Sequence, residues 1–186
     1  MNGELPPGQT EIPDFPRWGL PEYVLRWPEV PARPVLHLSG DVQTSCELAL
    51  DALAALPRQE QVSDFHCVTT WSRRGLRWSG YRMRDFYEQI FVPRTLPNRD
   101  ARYLVLVGLD GYRTSFPLQD ALGADVMLAD QLDSEALSVE HGAPIRLVAP
   151  AHYGYKSAKW INKLVVTNDK SGGYWEDQGY DWFAGI

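Results

Sequence analysis

Short apolar runs separated by glycine, proline and polar residues make up most of the chain between residues 35 and 166. Runs of this kind, with alternating or continuous apolar positions, are typical of β-strands. The predicted strands are residues 35–38, 62–68, 76–78, 102–107, 112–116, 125–129, 144–148 and 160–166. Residues 71–75 are predicted to form a loop, and Gly80 is predicted to mark a turn. Asp110-Gly111 is a hairpin signal, so we expect the strands on either side of it to pair antiparallel.

Three stretches have a helical pattern. Thr44-Ser45-Cys46-Glu47 is a capping-box sequence, which predicts a helix from there through Leu56, ended by Pro57. Apolar residues at positions 83, 86, 87 and 90 predict a second helix, and residues 117–122 predict a short third one. Because strands and helices follow no alternating order, the sequence predicts a single mixed, β-rich α+β domain.

The first 34 residues contain eight of the 14 prolines and show no clear periodicity. Proline fixes its own φ angle and disfavours helix in the residue before it, which predicts an extended arm. The arm includes Phe15 and Trp18, so we expect it to pack on the core. Arg17 between them could reach a ligand. The predicted organisation is an arm (1–34), a central domain (35–166) and a Gly- and aromatic-rich C-terminal tail (167–186).

The chain has neither a long apolar run nor a basic N-terminal front. No stretch approaches the roughly 18 consecutive apolar residues that a membrane span needs. The N-terminal residues also lack the pattern of an export signal. We therefore expect a cytoplasmic protein with no membrane span.

The positive charges are unevenly distributed. The net charge of −6 argues against a general nucleic-acid binder. Residues 65–84 and 141–168 nevertheless contain nine of the 18 cations and no acidic residue. If these two stretches converge, they form a cationic pocket suited to a small, highly charged anion.

The two cysteines, Cys46 and Cys67, are too few for a disulfide scaffold and form no C-x-x-C pair. Any bound metal therefore has at most one or two protein ligands, and another molecule must supply the rest. Cys67 ends a predicted strand beside a cationic segment, which favours the thiolate that a soft metal site requires. A buried free cysteine and a cysteine nucleophile are the alternatives. His66 is a poor base for Cys67, because neighbouring residues on a strand point to opposite faces.

The stretch from His141 to Trp160 carries the complementary features. Gly142 and Gly154 could let backbone amides approach a ligand. Arg146 offers a fork suited to phosphate, whereas Lys156 and Lys159 offer point charges. For each lysine, a solvated surface charge is the alternative. Ser157 adds a hydroxyl.

Four motifs follow one another along the chain: His66-Cys67-Val68-x-x-Trp71-Ser72, Trp78-x-Gly80, His141-Gly142-x-Pro144-x-Arg146 and Tyr153-Gly154-x-Lys156-x-x-Lys159. Taken in order, these motifs resemble the oxidoreductase molybdopterin-binding domain, the fold of sulfite oxidase, plant nitrate reductase and the bacterial periplasmic methionine-sulfoxide reductase. The resemblance covers roughly residues 35–166. It implies a molybdenum–molybdopterin cofactor that supplies two dithiolene sulfurs.

The resemblance also assigns residues. Cys67 matches the cysteine whose thiolate binds molybdenum, and His141, Arg146 and Lys159 match residues that hold the pterin and its phosphate. The predicted cofactor-binding residues are His66, Cys67, His141, Arg146, Tyr155, Lys156, Ser157, Ala158 and Lys159. The predicted catalytic residues are Cys67, Tyr112 and Tyr153. Thr69 is a further substrate-facing candidate, with His152 behind it.

The sequence directly after Cys67 departs from the pattern of the family that it resembles. Sulfite oxidase has a Gly-Asn-Arg-Arg type segment after its cysteine, where this chain has Thr69-Thr70-Trp71-Ser72. The sequence therefore does not predict sulfite as the substrate. The hypothesis is oxygen-atom transfer to or from a small-molecule substrate, with electrons exchanged with a separate electron-transfer protein. A non-catalytic pterin-binding protein and a hydrolase using Cys67 as its nucleophile are the alternatives.

Overall fold

The computed structural model describes residues 4–23 and 25–186, and its β-strands form two sheets. The strands are β1 (Thr10–Glu11), β2 (Val35–Gly40), β3 (Cys46–Ala49), β4 (Arg58–Cys67), β5 (Trp71–Arg82), β6 (Tyr103–Gly108), β7 (Arg113–Pro117), β8 (Met127–Leu132), β9 (Glu135–Ala136), β10 (Arg146–Val148) and β11 (Ile161–Thr167). This arrangement, with few helices, confirms the predicted mixed α+β class.

The five-stranded sheet has the order β3-β2-β11-β6-β7. Its central strand β11 runs parallel to β2 and antiparallel to β6. Apolar residues alternate along β2, where Leu36 and Leu38 are fully buried and His37 between them is not. This is the alternation expected for a strand with one face on the core.

The six-stranded sheet is built around the long strand β5. Its main path is β1-β5-β8-β10, with β4 also paired to β5 and β9 paired to β8. Strand β4 pairs with nearly the whole length of β5, and the pairing ends at Cys67 opposite Trp71. Strand β1, from the N-terminal arm, adds in parallel beside Trp71 and Ser72.

One helical segment follows β5 directly. It consists of α1 (Met83–Phe86), a π-helical turn (Tyr87–Phe91) and α2 (Val92–Thr95). Pro93 has no N–H for the carbonyl four residues earlier, and π turns are typical where the regular bonding is interrupted. The helix ends at Leu96 in the left-handed region, with φ 50°. A third short helix, α3 (Leu118–Ala121), follows β7.

Two apolar clusters hold these elements together. The larger one joins both sheets to the helical segment and includes Leu38, Phe86 and Leu128. The smaller one contains Leu76, Trp78, Met127, Ala129, Leu137 and Val148. Phe15 and Phe65 pack against this smaller cluster and belong to the wall of the cleft described below.

Three local predictions are wrong. Residues 44–56 form no α-helix, because Cys46–Ala49 pairs antiparallel with β2 and only Leu50–Ala55 is helical, as a 3₁₀ turn. Residues 71–75 are not a loop but the beginning of β5. Gly80 is not a turn residue either. It lies inside β5, where a Cβ atom would be 2.1 Å from the Leu128 carbonyl oxygen.

Candidate active site

A cleft of about 180 Å³ opens between the N-terminal arm, the β4–β5 hairpin and the segment from residue 141 to 160. Its lining comes from sequence-distant parts of the chain: Phe15, Pro16, Arg17, Trp18, Phe65, Cys67, Val68, Thr69, Trp71, Asp110, Tyr112, His141, Arg146, Gly154, Tyr155, Ser157, Ala158, Lys159, Trp160 and Trp175. Most of the residues predicted to bind a cofactor therefore lie in one place.

Cys67 is the last residue of β4 and lines the cleft. A three-residue loop follows it, and the third loop residue, Thr70, has a positive φ of 75°. This conformation is common in three-residue hairpin loops. The Cys67 sulfur lies 3.1 Å from the Thr69 hydroxyl oxygen, and the Cys67 carbonyl accepts hydrogen bonds from Thr70 N–H and from the Gln9 amide.

His66 points away from the cleft, as the strand geometry predicts. Its Nδ1 lies 2.7 Å from the Ser72 hydroxyl oxygen, and the ring is buried. Burial lowers the pKa of the His66 imidazole, so the neutral form is favoured. His66 therefore neither lines the cofactor cleft nor acts as a base for Cys67.

His141 forms one wall of the cleft together with Phe15 of the arm. The two rings are stacked, with centroids 4.8 Å apart and planes 16° from parallel. Burial lowers the pKa of His141, and the nearby Arg146 charge lowers it further. A neutral ring on an aromatic wall can stack or hydrogen-bond with a flat heterocycle.

Arg146 lies at the base of the cleft with only 2% of its surface exposed. Its guanidinium donates to the carbonyls of His141 at 3.0 Å and Ser157 at 3.3 Å. It also lies 5.0 Å from the Trp78 ring centroid. Burial lowers the pKa of Arg146 to about 9, so the group still carries its charge at pH 7.

Lys159 also lines the cleft, and like Arg146 it packs beside Gly142. Its ammonium donates to the Trp18 carbonyl at 2.7 Å and the Glu140 carbonyl at 3.3 Å. Burial and the Arg146 charge lower the pKa of Lys159 to about 7. Among residues 4–23 and 25–186, neither Lys159 nor Arg146 forms an ion pair with a carboxylate. Two cations that donate hydrogen bonds only to carbonyls, one of them buried and the other half-buried, fit the phosphate of a molybdopterin.

The two glycines of this region serve side-chain packing. A Cβ atom on Gly154 would lie 2.1 Å from the Phe65 ring, and one on Gly142 would lie 3.1 Å from the Arg146 and Lys159 side chains. Gly142 also has a φ of 110°. The space beside each glycine is thus filled by a cleft residue, which explains why a side chain does not fit there. Gly154 itself lines the cleft, and the approach of the backbone amides of both glycines to a ligand stays a prediction.

Tyr112 and Tyr155 close the inner end of the cleft. The buried Tyr112 hydroxyl donates to the Tyr155 carbonyl at 2.5 Å, and the Tyr155 hydroxyl donates to the Asp181 carbonyl at 2.6 Å. Burial raises the pKa of both phenols, which keeps them protonated. Tyr112 therefore lines the cleft as a neutral group.

Asp110 is a lining residue that the sequence pattern did not single out. Its Oδ1 accepts the Tyr112 N–H at 3.0 Å, and only 5% of the residue is exposed. Burial raises the pKa of this carboxyl. The sequence signal was its place in the Asp110-Gly111 hairpin, which was interpreted only as a turn. Phe15, Phe65 and Trp175 were likewise not predicted as site residues.

Three other residues that the sequence analysis placed at or behind the site do not line the cleft. The Lys156 side chain is directed away from the cleft. It forms an ion pair of 2.6 Å with Glu176, in which the two side chains are 1% and 2% exposed. Tyr153 is half-buried, and its N–H donates to the Ala184 carbonyl. His152, placed behind the site by the sequence, is buried with its Nδ1 2.8 Å from the Phe183 carbonyl oxygen.

The first cationic stretch, residues 65–84, contributes Cys67 and its neighbours to the cleft but none of its arginines. None of Arg73, Arg74, Arg77, Arg82 and Arg84 lines it. These arginines lie on or just after the extended strand β5, and their polar contacts are made elsewhere. For example, Arg74 pairs with Glu11 at 3.4 Å, and the Arg84 guanidinium donates to the Leu122 carbonyl. The two stretches do meet at the cleft, but the expectation that both supply its positive charge is wrong, because the cleft cations come from the second stretch and the arm.

Comparison with known proteins identifies the domain. A sequence model of the oxidoreductase molybdopterin binding domain matches residues 26–175. The uncharacterized oxidoreductase YuiH of Bacillus subtilis is 35% identical over 185 residues, which is 97% of this chain and 87% of YuiH. A putative protein-methionine-sulfoxide reductase subunit, YedZ1, of Azospira oryzae is 39% identical over 150 residues, which is 81% of this chain and 55% of YedZ1.

A solved structure shares the fold. The sulfane dehydrogenase SoxCD from Paracoccus pantotrophus superposes with a TM-score of 0.63 at 21% sequence identity, over 73% of this chain and 38% of that chain. The chain thus spans most of YuiH but only about half, or less, of the other two proteins. These matches confirm the predicted fold and the predicted class of molybdopterin-dependent oxidoreductases. The chain belongs to the oxidoreductase molybdopterin-binding domain family.

Proposed function

We propose that this protein transfers an oxygen atom to or from a small substrate in the cleft beside Cys67. The observation that supports this most directly is the presence of one cysteine sulfur and two carboxylate-free cations, Arg146 and Lys159, in the same cleft. When bound there, the molybdenum–molybdopterin cofactor supplies the two-electron oxygen-transfer chemistry. The protein supplies ligation, charge and access.

Each residue in the cleft has a distinct proposed role. Cys67 is the metal ligand, whereas Arg146 and Lys159 hold the anionic end of the cofactor by charge-assisted hydrogen bonds. His141 packs against the flat ring system. Tyr112 is a neutral phenol in the cleft lining; its O–H already donates to the Tyr155 carbonyl, so it would contact a polar substrate through its ring or as a hydrogen-bond acceptor.

The overall reaction determines what else is required. Oxidising a substrate X gives X + H₂O → XO + 2 H⁺ + 2 e⁻, and reduction is the reverse. The electrons pass to or come from a separate one-electron redox protein. The name of the relative YedZ1 refers to a reductase subunit, which supports oxygen-atom chemistry combined with a partner protein.

A hydrolase that uses Cys67 as its nucleophile receives little support from the contacts. Such an enzyme needs a base within hydrogen-bonding distance of the sulfur. The Cys67 sulfur is hydrogen-bonded to the hydroxyl group of Thr69, which is not a base. The His66 ring is hydrogen-bonded to Ser72 instead. A non-catalytic pterin-binding protein differs from the proposed enzyme by having no redox-active metal, which elemental analysis detects.

Cys67→Ser is the variant that tests the proposal, and Cys46→Ser is its matched control. Both proteins are produced in a host that makes the molybdenum cofactor, and their molybdenum and pterin contents are measured. We expect the wild type and Cys46→Ser to hold about one molybdenum per chain and Cys67→Ser to lose the metal. The cofactor-free forms of all three proteins should unfold at the same temperature, because a bound cofactor would itself raise that temperature. Molybdenum retained by Cys67→Ser, or absent from the wild type, would contradict the proposal.

Two further expectations remain to be tested. In residues 4–23 and 25–186, no helix combines the length and apolar character required to cross a bilayer. The cytoplasmic location stays a prediction, which fractionation of the native cells tests. The division into arm, domain and tail also stays a prediction, and limited proteolysis would identify its boundaries.

A further inference from the structure

The hydroxyl group of Thr69 is placed against the sulfur of Cys67. The two atoms are 3.1 Å apart, a short distance for a hydrogen bond that involves sulfur, and both residues line the cleft. They are separated by one residue in the loop between β4 and β5. The positive φ of Thr70 brings the chain back into β5 after only three loop residues, which keeps Thr69 beside the sulfur.

The neighbouring hydroxyl in the same loop does something different. Thr70 Oγ1 donates to the Thr69 carbonyl at 2.6 Å and makes no contact with the sulfur. The loop therefore contains two threonines of the same shape, only one of which faces Cys67. This difference provides a matched comparison within a single turn.

We propose that Thr69 is a positioning residue that donates its Oγ–H to the Cys67 thiolate and thereby raises the reduction potential of the metal centre. The inference rests on the proposed function. A metal-bound thiolate has no proton of its own, so the hydroxyl is the donor. Its hydrogen bond draws electron density from the sulfur, which weakens donation to the metal and favours the reduced centre.

The size of the effect follows from the type of contact. A hydrogen bond to a charged sulfur is stronger than one between neutral groups, but this one is partly exposed to solvent, which weakens it. Thr69→Val keeps the side-chain shape and removes the donor. At a fixed potential, the variant should shift the ratio of oxidised to reduced metal about tenfold toward oxidised, a fall of 59 mV for a one-electron step.

The test is a redox titration of the purified holoenzyme monitored by electron paramagnetic resonance. Wild type, Thr69→Val, Thr69→Ser and Thr70→Val are compared at equal molybdenum content. We expect Thr69→Ser, which keeps the hydroxyl, and Thr70→Val, which keeps the Thr69 hydroxyl, to match the wild type. Only Thr69→Val should show the lower potential.

The outcomes separate this inference from the proposed function. If the wild type contains no molybdenum, the proposed function fails before Thr69 is tested. If all variants load metal and titrate at one potential, the role of Thr69 is refuted while the proposed function stands. If Thr69→Val loads no metal but Thr69→Ser and Thr70→Val load fully, the hydrogen bond from the Thr69 hydroxyl to the Cys67 sulfur is needed for metal binding, which supports the inferred contact. Loss of metal in Thr69→Ser as well would refute the hydrogen bond, because the residue would then serve loop packing.

Discussion

Replacing Glu176 with glutamine should strongly lower the stability of the fold, but it should not prevent the cleft from binding the cofactor. Lys156 and Glu176 form an ion pair of 2.6 Å between side chains that are 1% and 2% exposed. The ammonium also donates to the Ser115 carbonyl at 2.8 Å, and the carboxylate accepts the Thr114 hydroxyl at 2.8 Å. The pair therefore connects the C-terminal tail to β7 and to the segment that contributes Ser157 and Lys159 to the cleft.

The expected loss follows from the geometry. At 2.6 Å, the Coulomb attraction in an effective dielectric of about 20 is roughly 6 kcal/mol. Desolvation of the two charges offsets most of this attraction, so the intact pair adds little net stability. Removing one partner leaves the other charge buried and uncompensated, which costs about 3–5 kcal/mol. Desolvation already lowers the pKa of Lys156, and the Glu176 carboxylate opposes that shift.

Urea unfolding followed by tryptophan fluorescence measures the effect. We expect Glu176→Gln and Lys156→Met each to lower the free energy of unfolding by about 3–5 kcal/mol. The double variant Lys156→Met/Glu176→Leu should recover at least half of that loss, because no unpaired charge remains. Asp130→Asn is the surface control. It breaks the Arg58–Asp130 pair, which is 39% and 30% exposed, and should cost no more than about 1 kcal/mol.

Two results would refute this reasoning. Single variants within about 1 kcal/mol of the wild type would mean that the pair is not buried in solution. A Lys156→Met protein that stays folded but binds no molybdenum would mean that Lys156 contacts the cofactor, as the sequence analysis predicted, and not only Glu176. Molybdenum content measured below the unfolding transition decides between the two roles.

Two other variants test the cleft itself. Gly154→Ala should destabilise the protein by about 1–3 kcal/mol, because its Cβ would lie 2.1 Å from the Phe65 ring; an unchanged urea midpoint would contradict that. Sulfate, whose charge is constant from pH 7 to 8, should bind the cofactor-free protein more weakly as the pH rises through that range, because Lys159, with a pKa of about 7, must take up a proton to hold an anion. Arg146, with a pKa of about 9, keeps its charge there. Calorimetry of Lys159→Arg should show no such slope, and equal slopes in both proteins would sink the idea.

The strands that the sequence predicted correctly are those with a plain apolar pattern. Residues 102–107 and 160–166 are close to β6 and β11, which pair with each other at the centre of their sheet. The failure at residues 44–56 has a tertiary cause. The local capping-box signal competes with antiparallel pairing that sets Leu48 opposite Leu36, and burial of both leucines favours the strand.

Only residues 76–78 of strand β5 were predicted as a strand, because the rest of its sequence looks polar and is interrupted by glycine. Pairing with β4 along one edge and with β1 and β8 along the other supplies its backbone hydrogen bonds. Gly80, interpreted as a turn, is required because β8 approaches too closely there for a side chain. Neither effect can be seen in a local window of sequence.

The site was predictable where it is contiguous. His141, Arg146 and Lys159 lie in one segment and are spaced as in the molybdopterin-binding domain family. All three line the cleft. Phe15 and Asp110 were not predicted because their places depend on how distant parts of the chain meet. Lys156 was predicted to bind the cofactor, but it pairs with Glu176 outside the cleft lining. Nothing in the sequence of the C-terminal tail indicated that Glu176 would be its partner.

The arm described above limits how the protein can be shortened. The region matched by the family begins at residue 26, yet Gln9 bonds the carbonyl of the proposed metal ligand and Phe15 covers His141. A recombinant protein trimmed to the matched region would lack one wall of its own binding site. Inactivity of such a trimmed protein would then reflect an open, water-filled groove and not the absence of an enzyme.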